Sequence, residues 1–197
     1  MKLGFLASGN GSSARAMVDA IAAGELAAEA GLMASNKPSA PALAWAQGLG
    51  IPAVCVPTAA DPEGADKAIT DAMQARGVEL IVLSGYLRRL GPVLLSAYRG
   101  RILNIHPALL PAFGGEGMYG RRVHEAVLAA GAAESGATIH VVDGDYDSGP
   151  IVAQRAVPVL AGDTPADLEG RVKLMEPQFF VETMKRIANG ELGLPRR

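Results

Sequence analysis

A strand buried on both faces exists only inside a sheet that is covered above and below, and the stretch Val78 to Ser84 reads as one. No polar residue interrupts its centre, Leu80-Ile-Val-Leu83, and Gly77 and Gly85 flank it. Lys2 to Ala7 reads as a first buried strand, broken by Ser8-Gly-Asn-Gly-Ser-Ser13 before an Ala-rich helical stretch from about Ala14 to Ala23. The alternation continues with a strand at Leu32 to Ser35, a helix at Ala40 to Leu49 and a strand at Ala53 to Val56. Asp61 and Pro62 then open a helix to about Arg76, because Asp caps free N–H groups and proline tolerates the first turn. A short helix at Pro92 to Tyr98 and a strand at Arg101 to Ile105 complete the regular part. Strands that alternate with helices predict an α/β fold with a mostly parallel, Rossmann-like sheet and helices on both faces.

After Pro111 the pattern changes. Ala112 to Gly120 has four glycines and no periodicity, so a mobile loop is expected there, followed by a helix at Val123 to Ala130. Thr138 to Val142 and Ile151 to Val159 are strand-like and predict a hairpin-like C-terminal extension of the sheet. Thr164-Pro-Ala-Asp167 has the form of a capping box and opens a last helix to about Asn189, which Gly190 ends. With 197 residues, 49% of them apolar, the chain fills one core and is short for two, so a single domain over 1–197 is expected.

The formal charge of −2 gives no basic field, so nucleic acid is not an expected partner. Cys55 is the only cysteine, which excludes an internal disulfide and fits a reducing compartment. The N-terminal apolar stretch is too short for a signal sequence or a membrane span, so a cytoplasmic protein with small-molecule partners and no membrane is expected. No heptad seam declares an oligomer, leaving monomer and homodimer open.

Chemistry concentrates at three places. In Arg101-Ile-Leu-Asn-Ile-His-Pro107, a strand exit points Asn104 and His106 to the same side, an amide donor beside an imidazole. Some forty residues later, Thr138-Ile-His-Val-Val-Asp-Gly-Asp-Tyr-Asp-Ser-Gly-Pro150 holds Asp147 in a Gly-rich turn that can present a carboxylate to that imidazole. Together they outline an acyl-transfer site, with His140 as a supporting or simply buried residue. The third place is Gly9-Asn-Gly-Ser-Ser13, a strand-to-helix loop whose backbone N–H groups suit a phosphate.

Two other chemistries share these residues. The spacing Gly9, Gly11, Ala14 also satisfies a dinucleotide fingerprint, although Ser35-Asn-Lys37 stands where a nicotinamide site would place an acidic residue. His106, His140 and Asp147 can be read as a zinc triad, which no close HxH or HExxH spacing supports. The pairs Arg88-Arg89 and Arg121-Arg122 can hold small anions, and His124 is expected at the surface.

The succession of SGNGS, NIHPALLP and TIHVVDGDYDSGP closely resembles the phosphoribosylglycinamide formyltransferase family, the folate-dependent glycinamide ribonucleotide transformylases of purine synthesis. The likeness spans nearly the whole chain and includes Ser35 to Lys37, Gly85 to Leu90 and Arg171 to Glu176. It implies Asn104, His106 and Asp147 as catalytic residues and Gly11, Ser12, Ser13 and Glu176 as ribonucleotide-binding residues. Leu87, Arg88, Arg89, Leu90, Val142 and Asp143 would line the pocket for the co-substrate 10-formyltetrahydrofolate, and no metal is implied. The chain departs from the family at the glycine-rich Phe113 to Gly120, at Gly144 where an acidic residue is frequent, and near Pro62-Glu63, where a folate-side basic residue has no match. Its length disfavours the related methionyl-tRNA formyltransferases and formyltetrahydrofolate deformylases, which carry extra domains, so neither is expected.

Overall fold

A computed structural model describes residues 1–195. Among these residues seven strands form one sheet in the order β3-β2-β1-β4-β5-β6-β7. They are β1 (Lys2–Leu6), β2 (Glu29–Ser35), β3 (Ala53–Cys55), β4 (Leu80–Leu83), β5 (Ile102–His106), β6 (Glu134–Val141) and β7 (Ile151–Pro158). The first five run parallel, and β6 and β7 add antiparallel, giving the expected extension. Strand order reverses between β1 and β4, the place where open α/β sheets leave a crevice at the carboxyl ends of their strands.

Among the described residues six helices cover the sheet: α1 (Ser12–Ala22), α2 (Pro41–Gly48), α3 (Pro62–Ala75), α4 (Pro92–Ala97), α5 (Arg121–Ala129) and α6 (Pro165–Ala188). One core joins Phe5, Val82 and Leu103 to apolar residues of α1, α2, α5 and α6, including Met17 and Phe180. The other joins Leu6, Ile81 and Ile102 to Ile69, Met73, Leu94 and Tyr98 from α3 and α4. Both faces of β4 are therefore buried, as its unbroken apolar centre requires. Among the described residues no helix is long and apolar enough to cross a membrane.

Helix starts follow the expected chemistry. Asp61 accepts from the Gly64 amide at 2.9 Å, and Thr164 and Asp167 form the reciprocal capping box. Helix α4 instead borrows its cap from a neighbour. Its N-cap is Gly91, which has no side chain to offer, and the buried Asp66 carboxylate of α3 accepts from Val93 and Leu94 amides at 2.8 and 3.1 Å. Asp66→Ala is therefore expected to lower stability by about 2 to 3 kcal/mol, because the two amides lose a charged acceptor away from water. Denaturant unfolding checks this, and an unchanged midpoint would show that water replaces the carboxylate.

Two strands start earlier than their sequences suggest. β2 begins at Glu29 and β6 at Glu134, where Gly31 and Gly136 depress the strand signal. Gly31 meets the Lys2 side chain closely, and Gly136 lies against the Arg155 carbonyl and the Leu109 side chain. Both serve close backbone approach rather than a break.

Candidate active site

Strand pleat brings Asn104 and His106 to one face of β5, and antiparallel register sets His140 of β6 directly beside Asn104. The Asn104 amide donates to His140 Nε2 at 3.2 Å, while His140 Nδ1 donates to the Val141 carbonyl at 3.1 Å. One ring nitrogen thus fixes the tautomer and the other orients the amide. The β6–β7 turn folds back over this face and delivers Asp147. Its Oδ2 lies 3.3 Å from His106 Nδ1, and its Oδ1 lies 3.5 Å from His140 Nε2. Three of the residues read from sequence as a site therefore meet, with His140 as a fourth.

The carboxylate is held as well as placed. Asp147 is 11% exposed and accepts from the Gly115 amide at 3.0 Å. Burial pushes its carboxyl up, but a hydrogen bond and charge from His106, the adjoining His140 ring and the Gly115 amide outweigh that and hold it well below the usual carboxylate range. His106, only 3% exposed, donates from Nε2 to the Phe113 carbonyl at 2.8 Å. Both of its ring nitrogens face acceptors, an arrangement that only the doubly protonated ring satisfies in full.

The loop that follows β5 is pinned by a residue the sequence did not single out. The buried Thr138 hydroxyl donates to the Ala108 carbonyl at 2.7 Å and accepts from the Leu110 amide and from Gln154, both at 2.9 Å. Ala112 to Gly120 is irregular, as expected, yet it is anchored on the site through the Phe113 carbonyl and the Gly115 amide. Those contacts come from the main chain, where residue identity carries no signal.

At the carboxyl ends of β1 and β4 lies the glycine loop. Gly11 caps α1 at φ 68°, and a Cβ there would press on Ala42 Cβ at 3.3 Å, so glycine fits where larger residues would not. The N-cap residue of α1 offers its first amides no side-chain acceptor. Ser12 is exposed and Ser13 is buried. Buried Ser8 ties this loop to the next one: it donates to Asn36 Oδ1 at 2.6 Å and accepts from the Leu87 amide at 2.9 Å. A second tie runs from the Ala14 amide to Ser84 Oγ at 3.0 Å. Asn36, which stands where a nicotinamide site would need a carboxylate, is thus occupied in bracing Ser8.

Glu176 sits on α6, which packs against α1, and is close enough to His106 for their charges to interact. Burial pushes its carboxyl up to about 7, against smaller opposing pulls from Lys173 and His106. Lys173 itself pairs with Glu169, which also takes Arg121 at 2.8 Å. His124 is a correction to the sequence reading. It is 1% exposed, because α6 packs over the face of α5 that carries Val123, His124 and Val127. The two arginines before it point to solvent while it points inward, and burial holds its imidazole below the ordinary value despite Glu169.

The residues expected on the folate side divide. Val142 and Asp143 line a cavity of about 370 Å³ together with Pro92, Leu95, Ser96 and Arg99. Leu87, Arg88 and Arg89 lie exposed on the loop after β4, with Leu90 half-buried. Arg89 reaches across to the Gly144 carbonyl. Among the described residues no group of three or more His, Cys, Asp and Glu side chains has an arrangement able to hold a metal ion.

The formyl transferase family profile matches residues 1–184. A phosphoribosylglycinamide formyltransferase of Bacillus subtilis is 36% identical over all of this chain and 97% of its own length. A chloroplastic one from Vigna unguiculata is 42% identical over 94% of this chain, which spans only 60% of that relative. The crystal structure of glycinamide ribonucleotide transformylase 1 from Symbiobacterium toebii superposes with a TM-score of 0.89 at 34% identity, covering 100% of this chain and 92% of the other. The chain belongs to the formyl transferase family, among its phosphoribosylglycinamide formyltransferases.

Proposed function

We propose that this protein transfers the formyl group of 10-formyltetrahydrofolate to the amine of 5'-phosphoribosylglycinamide, a step of purine (IMP) synthesis in the cytoplasm. The observation that carries the reading is the meeting of Asn104, His106 and Asp147 at the exit of β5. The amine attacks the formyl carbon and the carbonyl oxygen takes the negative charge of a tetrahedral centre. Asn104 donates to that oxygen, and the positive charge of the His106 ring, held between Asp147 at Nδ1 and the Phe113 carbonyl at Nε2, stabilises the same centre. As the new C–N bond forms, the amine loses a proton. The bond to the folate nitrogen then breaks, and that nitrogen takes up a proton, with ionised Asp147 supporting the imidazolium and the transfer.

On this reading the phosphate sits at the first amides of α1, on Gly11, Ser12 and Ser13, and Glu176 binds the ribonucleotide. Leu87, Arg88, Leu90, Val142 and Asp143 face the folate. Arg88 is the arginine available to an anionic glutamate tail, since Arg89 is engaged by Gly144. Ser12→Asp is expected to raise the ribonucleotide KM about tenfold or more by setting like charge beside the phosphate, with a smaller effect on folate affinity. Calorimetry with unaltered ribonucleotide binding in that variant would remove the phosphate from this loop.

The deciding experiment incubates the pure protein with both substrates and follows both products. Formylated ribonucleotide and tetrahydrofolate should appear in equal amounts. Folate release without formylated nucleotide would instead identify a hydrolase.

A further inference from the structure

The turn that carries Asp147 has modest support of its own. Ser148 Oγ donates to Asp143 Oδ1 at 3.0 Å and to the Asp145 carbonyl at 3.4 Å, both in exposed positions. Asp147 adopts φ 55°, left-handed backbone that a non-glycine residue keeps only when its surroundings impose it. A second restraint arrives from the loop after β4. Arg89 donates from Nε and Nη2 to the Gly144 carbonyl at 3.2 and 3.0 Å. Its Nη2 also lies 3.4 Å from Asp145 Oδ1, and its guanidinium carbon is 5.9 Å from the Tyr146 ring centre. One side chain therefore touches the three consecutive residues that lead into Asp147.

We infer that Arg89 is a positioning residue, a latch that ties the loop after β4 to the β6–β7 turn and so fixes the Asp147 carboxylate against His106. The ion pair with Asp145 contributes little alone, because both side chains are well exposed. The restraint comes from the forked bond to a main-chain carbonyl combined with the stack on Tyr146. A planar guanidinium offers two nitrogens to the carbonyl and a flat face to the ring at once, whereas an ammonium offers the carbonyl a single nitrogen and has no flat face. The kinetic consequence rests on the formyl-transfer reading; the restraint on the turn does not.

Arg89→Ala and Arg89→Lys test the latch by two independent measurements. Hydrogen exchange of amides in residues 142–149 of the unliganded protein should quicken about tenfold in Arg89→Ala, the effect of losing about one net hydrogen bond. Arg89→Lys should recover part of the protection. Unchanged exchange in Arg89→Ala overturns the latch whatever the activity. In the formyl-transfer assay, kcat should fall about tenfold in Arg89→Ala with folate KM within about twofold of wild type, and recover in part in Arg89→Lys. A raised folate KM at unchanged kcat would overturn the proposal by making Arg89 a ligand contact. A wild-type protein that transfers no formyl group would sink the functional reading, while the exchange result still judges the latch.

Discussion

His106→Ala is expected to lower kcat for formyl transfer by about a thousand- to ten-thousandfold, since it removes both a charge facing the developing oxyanion and a participant in proton transfer. Ribonucleotide affinity should change little, because the glycine loop and α1 lie on a different strand exit. The substitution also leaves the Phe113 carbonyl and Asp147 without their imidazole partner, so some loss of stability accompanies it. Single-turnover rates and calorimetry on the same preparation separate the two effects. A variant that folds, binds both substrates and turns over at near the wild-type rate would end the role assigned to this histidine.

Asp147→Asn should reduce kcat about a hundredfold or more while keeping the shape of the turn, because the amide no longer supports a charged imidazole. It also makes a prediction about pH. The Asp147 carboxyl lies below its unfolded value of 3.8, despite the opposing effect of burial, so the folded protein holds fewer protons at this position than the unfolded chain. Its contribution to stability is full above that unfolded value and is lost as pH falls through the folded one. Asp147→Asn should therefore show a flatter acid limb in a plot of unfolding free energy against pH. Superimposable acid limbs for variant and wild type would mean that the carboxylate gains nothing from its imidazole neighbours.

Much of the fold is written in short-range pattern. β1 and β4 are buried on both faces and show uninterrupted apolar centres, and α3 and α6 announce their starts through Asp61 and Thr164. Where reading by pattern fails, tertiary contact has overridden it. β6 starts at Glu134 because Ser135 and Gly136 are buried against β7, a circumstance that polarity and glycine content argue against locally. His124 looks like a surface residue from its arginine neighbours, yet a helix nearly fifty residues later covers it. At the site, the meeting of Asn104, His106 and Asp147 is legible because amide, imidazole and carboxylate are distinctive side chains in short, recognisable segments. The Phe113 carbonyl and Gly115 amide are not, since any residue offers them. Thr138 and Arg89 act on main-chain carbonyls far away in sequence, so only the folded chain reveals their targets.

The hydrogen bond from the Leu87 amide to Ser8 joins the exits of β1 and β4, which lie side by side in the sheet. Adjacent parallel strands stand about 4.8 Å apart, a spacing set by their own ladder. On the proposed reading, one reactant rests on each exit, and the Leu87–Ser8 bond braces the loop that holds one against the loop that holds the other. The spacing of the two loops then follows the ladder beneath them, much as the pitch of a thread fixes where a nut comes to rest. Substrate variants longer or shorter by a single bond would meet an unyielding frame, and selectivity would follow from stiffness rather than from closure.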